Sequence, residues 1–384
     1  MRLESISYTE YSDKQFRWDV KNLTFIDINL IVAKNATGKS RVLRVIFGLA
    51  RLIVGGLTPA NITSGNYKAS FSHRGKDGAV KEIEYELDIS GNQVVCERLI
   101  LDGVIKLNRG SDGRAKIHFE KNGLDIDIRL PENQTVIAMR RDSEQHPFFE
   151  FLHEWASCLR MHQFGLLQPG TATVIDKNYK SSDIKKPEVH ESVHLLYKLA
   201  NEKFGRSFVS SVIGDMNRLG YKIDEIGLMP ISGEVTLVGV PQSPQTLYVI
   251  EKEIDKKMPE NELSTGLFRA LTVLIHLHAT RLAKIPSCIL IDDIGEGLDF
   301  DRASKLISVL IKNAQDGYIQ LIMSSNDRFV MNNVPLAYWC VLDRKGGEIN
   351  IYNPRTSPER FEEFEEYGLN NFDFFSRSFF FVEA

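Results

Sequence analysis

Residues 28–41 constrain this chain more than any other stretch. An apolar run, Ile28 to Val32, leads into Ala33-Lys34-Asn35-Ala36-Thr37-Gly38-Lys39-Ser40, and a helical pattern begins at Arg41. Strand, loop ending in Gly-Lys-Ser, then helix is the setting that a phosphate-binding loop requires. The loop's backbone N–H groups and the helix N-terminus converge on one spot, which suits a phosphate chain. Asn35, Ala36, Thr37, Gly38, Lys39, Ser40 and Arg41 form the candidate nucleotide-binding set. Lys39 would reach the β- and γ-phosphates, and the Ser40 hydroxyl would hold Mg²⁺. Ala33 stands where a first glycine is expected. Glycine there permits φ > 0 and close backbone approach, and alanine tolerates either less well. An ordinary strand–turn–helix with a surface lysine has the same local pattern.

Further along, Ser287 to Ile291 is an apolar run that ends in Asp292-Asp293. Buried parallel strands read as such continuous runs, and open α/β sheets bind ligands at the strands' carboxyl ends. Asp292 is the candidate Mg²⁺ carboxylate, and Asp293, facing another way, the candidate group for polarising a water. A solvated acidic turn is the competing reading. Leu263-Ser264-Thr265-Gly266 opens a helix expected to run to about Leu282, with Ser264 and Gly266 aimed at an anion from a helix N-terminus. Taken alone, Ser264 is equally a plain N-cap. Gly295-Glu296-Gly297-Leu298-Asp299 follows the acidic pair, and Ile319 to Asp327 reads as a strand ending in polar residues.

In this order the motifs resemble the phosphate loop, signature turn, acidic strand, D-loop and switch strand of ABC-type ATPases of the SMC, RecF and OLD (overcoming lysogenization defect) group. The nearest likeness is to the stand-alone AAA-domain ATPases of bacterial phage-defence and abortive-infection loci. It covers residues of about 20–48 and 260–345 strongly, and the middle only in general plan. The resemblance implies ATP and Mg²⁺ as ligands, ATP hydrolysis, and a homodimer or higher homo-oligomer. Ser264 and Gly266 would then touch the γ-phosphate of ATP held by the opposite copy. Asp292 takes the place of the Walker-B acid and Asp293 that of the catalytic glutamate. Asn326 or Asp327 stands where a switch histidine is usual. The three departures bear on hydrolysis rate more than on binding, because a shorter carboxylate sits further from the water. No nuclease-like cluster of acids follows Asp293, so any effector is expected to be a separate chain. Two rival readings are a near-inactive ATP-binding scaffold and a RecF-like DNA-repair ATPase.

The fold class expected is α/β: an ABC-type P-loop core at 1–140 and 240–355, an antiparallel β layer at about 65–130, a helical insertion at 141–239, and an aromatic-rich tail at 356–384. The β layer rests on turn signals such as Asp102-Gly103 between apolar runs. Thr135 to Met139 is expected as a core strand. In the resembling family a loop after such a strand carries a glutamine that meets metal and water, which makes Gln145 the candidate. A polar loop pairing Arg140 and Arg141 with Asp142 and Glu144 is the alternative, and the same arginines could hold a phosphate or nucleic-acid backbone. Phe148 to His162 reads as an apolar helix packed in a core. The phenylalanine-rich tail is expected to pack on the core.

With 43% hydrophobic and 26% charged residues the composition is that of a globular protein. A net charge of −4 gives no global attraction to nucleic acid, though a local basic patch leaves DNA possible. The four cysteines lack a C-x-x-C pair, no apolar run approaches the ~20 residues of a membrane span, and no signal-peptide pattern opens the chain. A reduced, cytoplasmic setting without membrane contact is expected. No heptad run long enough for a coiled-coil arm is present, which argues against an SMC-like tether.

Overall fold

Ile28–Val32, Ser287–Asp292 and Ile319–Ser325 are buried at every position. Strands covered on both faces have no polar side, so they carry the uninterrupted apolar runs seen in the sequence. The computed structural model describes residues 1–11, 16–75, 78–170, 173–175, 178–231, 235–237, 240–242 and 244–381. Part of the turn signal Gly75-Lys76-Asp77-Gly78, and the tail beyond Phe381, lie outside these residues. The chain divides into two compact units, Met1–Leu159 with Pro335–Ala384, and Arg160–Val334. The stretch 141–239 is therefore shared, its residues up to Leu159 lying in the first unit.

In the first unit, the loop-bearing strand Ile28–Val32 pairs in parallel with Trp339–Lys345, Leu30 opposite Trp339. That strand hairpins with Glu348–Tyr352, which lies parallel to Trp18–Thr24. From there the sheet is antiparallel throughout: Arg2–Glu10, Ser64–Arg74, Val80–Ser90, Gln93–Leu101, Val104–Arg109, Arg114–Phe119 and Leu124–Arg129. This is the expected β layer, and its alternating burial shows one face packed and one wet. Asp102 and Gly103 both take positive φ in the tight turn before Val104, as a two-residue hairpin loop demands. The helix Lys39–Ile53 packs against the helix Pro147–Ser157. The tail packs in the same unit: Phe361, Phe364, Phe374 and Phe380 are buried, and Phe374 meets Trp339 edge-on at 6.3 Å. One expectation fails here. Val136–Met139 is a helical turn, not a strand. Its N–H groups at Val136 and Ile137 are taken by the buried Glu97 carboxylate at 2.6 and 3.1 Å, which holds the turn without a sheet partner.

In the second unit, Arg160–Gln163, Ser287–Asp292 and Ile319–Ser325 form a parallel run, with Gln163 opposite Asp292. The helix Thr265–Leu282 is buried along nearly its whole length. The helices Val193–Phe204 and Arg206–Arg218 pack on it, and a small antiparallel sheet joins Ile223–Pro230, Gln245–Glu251 and Ile254–Pro259. Among the described residues no helix is long and apolar enough to cross a membrane, and no disulfide joins the cysteines.

Candidate phosphate loop and acidic strand

The loop between Ile28–Val32 and Lys39–Ile53 turns through two left-handed residues, Ala36 at φ 62° and Gly38 at φ 124°. Gly38 is the residue that must be glycine. Its φ lies outside what other residues adopt, and a Cβ there would sit 3.0 Å from the Trp18 ring. Ala33 is fully buried and is not among the positive-φ residues, so alanine there strains no backbone. Its carbonyl instead accepts from the Lys39 ammonium at 3.1 Å. Lys39 is only 7% exposed, and Thr37 is buried beside it. Asn35 and Ala36 are exposed, and Ser40 and Arg41 half-exposed. Arg41 lies over the Trp18 ring at 4.4 Å and ion-pairs with Glu10. A buried ammonium folded onto a carbonyl, beside first-turn N–H groups that the helix itself leaves unbonded, is a cradle suited to an anion. These residues fit a nucleotide's phosphates.

In the second unit one serine bonds both acidic residues, the first through its carboxylate and the second through its backbone. The fully buried Ser324 donates its hydroxyl to Asp292 Oδ1 at 2.6 Å and accepts from the Asp293 N–H at 3.0 Å. Asp292 is buried and Asp293 half-exposed, so the first is held and the second is presented. Asp293 sits at φ 52°. Aspartate and asparagine are enriched in that left-handed region and glutamate is not, which gives the shorter acid a backbone reason. Ser264 caps the helix Thr265–Leu282, accepting from the Leu267 N–H at 3.3 Å, and remains exposed. Gly266 is buried against the loop that follows Asp293: a Cβ on it would stand 2.5 Å from the Gly297 carbonyl. Buried Arg269 donates to the Glu296 carbonyl at 2.6 Å and to that of Leu167 at 3.1 Å, fastening the loop after Asp293 to the helix Thr265–Leu282. Asp327, where a switch histidine was sought, caps the next short helix by accepting from Phe329 and Val330. Asn326 is exposed beside it.

Gln145 lies exposed on a turn closed by Asp142, whose carboxylate accepts from the N–H groups of Glu144 and Gln145. Its own carbonyl accepts from Glu120 in the β layer. Since Val136–Met139 is helical, the strand-then-loop setting that singled out Gln145 is absent. Arg141 pairs with Glu150 at 2.9 Å, and not with Asp142 or Glu144.

No protein-family model matches the chain, and no curated protein matches it either. Solved structures do. An SMC head bound to the C-winged helix domain of ScpA superposes with a TM-score of 0.51 at 11% identity, covering 94% of this chain and 100% of that one. The fold is that of an SMC head. An SMC head with an extended coiled coil, bound to the C-terminal domain of ScpA derived from Pyrococcus furiosus, gives 0.47 at 11% identity over 95% and 100% of the two chains. The cbiO1 protein of Clostridium perfringens, part of the ABC transporter complex cbiONQ, gives 0.40 at 13% identity over 95% and 94%. Within this SMC-head fold, motif order had pointed to the loop and the acidic strand. Ser324, Arg269 and Trp18 carried no such signal, because each acts through a contact distant in sequence.

Proposed function

We propose that this chain binds ATP with Mg²⁺ and hydrolyses it slowly, as a nucleotide-driven switch that works in pairs. The observation that carries the reading is the loop itself: Gly38 in a conformation other residues avoid, leading into a buried Lys39 at a helix N-terminus. Lys39 and the loop N–H groups take the phosphates. Ser40 and Asp292 are the metal ligands. Asp293 polarises the water. Mg²⁺ supplies charge neutralisation on the phosphates when bound, while this chain's residues orient the nucleotide and accept the proton.

Ser264 and Gly266 are assigned to the nucleotide of a second copy, so the working form is a homodimer or larger. The resemblance in motif order further supports a role in anti-phage defence through a separately encoded effector. The test is calorimetric ATP binding by Lys39→Ala, which should fall below detection, followed by mixing that protein with Gly266→Arg. The mixture should regain about one working site per heterodimer. Unchanged affinity in Lys39→Ala would sink the nucleotide reading. Silence in every mixture, with both variants shown to be folded and subunit exchange demonstrated, would sink the assignment to a second copy.

A further inference from the structure

Trp18 opens the strand next to the loop's own neighbours, and it is 1% exposed. Its indole N–H is buried and has no hydrogen-bond acceptor. A buried donor left unmade costs about 1–3 kcal/mol, so its surroundings call for an account. The position suggests one. The point where a Cβ on Gly38 would stand lies 3.0 Å from Trp18 Cζ2 and 3.3 Å from Trp18 Nε1. The edge of the ring that carries the N–H therefore abuts the left-handed turn of the phosphate loop. The ring is not a platform for a base, because the Arg41 guanidinium lies over it at 4.4 Å and Tyr8 packs at 5.9 Å. Arg41 is in turn held by Glu10, the residue opposite Trp18 in the adjoining strand.

Trp155 provides an internal contrast. Its indole N–H is also buried without an acceptor, but it sits on the helix Pro147–Ser157, edge-on to Phe71 at 4.8 Å. Of these two indoles, the one at Trp18 borders the left-handed turn at Gly38.

Resting on the nucleotide reading above, we propose that Trp18 is a nucleotide-positioning residue: its indole is the plate that holds Gly38 in its turn, and its N–H gains an acceptor when a di- or triphosphate fills the loop. The ligand class is set by the loop's phosphates and not by the base, since no face of the ring is offered to one.

The test is NMR of the protein carrying ¹⁵N-labelled indoles, with the three tryptophan resonances assigned from Trp18→Phe, Trp155→Phe and Trp339→Phe. ATP, ADP and pyrophosphate should each move the Trp18 Nε1–H signal downfield, as a new hydrogen bond does. AMP should leave it in place, and Trp155 should not respond to any of them. Trp18→Phe keeps a ring under Gly38 but loses the donor. It should weaken ATP binding about tenfold, the equivalent of about 1.4 kcal/mol for a bond to a charged acceptor, with its melting temperature retained. Trp18→Ala, which removes the plate as well, should weaken it further. Calorimetric saturation with ATP while the Trp18 signal stays fixed and Trp18→Phe binds normally overturns the inference and leaves ATP binding intact. Absence of any ATP heat defeats the nucleotide reading and this inference with it.

Discussion

The loop half and the acidic half of this protein hold their chemistry by different means. Around Gly38 and Lys39 the working groups are backbone N–H donors and one ammonium, and conformation does the positioning: a φ of 124°, a helix N-terminus, and a tryptophan edge beneath. Around Asp292 and Asp293 the working groups are side chains, and other side chains position them. Ser324 bridges both residues, and Arg269 ties down the loop that follows them. A backbone-built site is damaged by changes of shape. A side-chain-built site is damaged by changes of charge or of a partner. The two halves should therefore fail differently under substitution.

The largest expected effect is at Asp293. Asp293→Asn keeps the left-handed backbone, since asparagine tolerates φ near 52° as well as aspartate does, and the Ser324 bond is to the backbone N–H and survives. Only the charge is lost. Single-turnover hydrolysis should fall by about 10²- to 10⁴-fold, the usual contribution of a general base, with ATP affinity unchanged and a loaded dimer accumulating. Cleavage at the wild-type rate would mean that the base lies elsewhere.

A second effect sharpens the contrast through the interior of the second unit. His190 donates from Nε2 to the Ile184 carbonyl at 2.8 Å, which leaves its Nδ1 to accept from His276 at 3.3 Å. His276 in turn accepts from His162 at 3.4 Å. The Ile184 carbonyl fixes the His190 tautomer with its proton on Nε2. Burial pushes the pKa of His162 down to about 3 and that of His190 down to about 4. Between these values and an unfolded pKa of about 6.5 the unfolded chain binds protons that the folded one refuses. Their contribution is complete above that range and is lost as pH falls, roughly 2 kcal/mol for each by pH 5. His162→Phe removes one of these groups. Urea unfolding at pH 7 and pH 5 should show the variant losing about 2 kcal/mol less than wild type over that interval. Equal losses would show that His162 is charged, or solvated, in the fold.

How much of this could be read from the chain follows from how each feature is encoded. Ile28–Val32, Lys39–Ile53, Ser287–Asp292, Thr265–Leu282 and Ile319–Ser325 were all legible, because each carries its own periodicity and its own end signals. The antiparallel layer was legible from its turns. Val136–Met139 misled, since a four-residue apolar run fits a strand and a helical turn equally well, and a carboxylate 39 residues away decided it. The histidine file was illegible for the same reason. His162, His190 and His276 come from a strand and two helices and meet only after packing. Ser324 was visible as the end of a strand, but its two bonds to the acidic pair were not.

The smallest expected effect bears on the loop half alone. Ala33 departs from the expected glycine at a position where alanine tolerates positive φ and close backbone approach less well. The structure removes the first of these grounds: Ala33 has no positive φ, and its carbonyl, a group every residue has, receives Lys39. Ala33→Gly should therefore leave ATP affinity within about twofold, since neither the carbonyl nor the turn at Gly38 is altered. It should cost about 0.4–1 kcal/mol of stability, because glycine widens the unfolded ensemble without relieving anything in the folded one. Calorimetry and urea unfolding on the same preparation measure both quantities. A tenfold gain in ATP affinity would show that the loop does need glycine at 33 once phosphate is bound. The division between a shape-built half and a charge-built half would then have to be redrawn, with the loop's shape set by its ligand and not by Gly38 and Trp18.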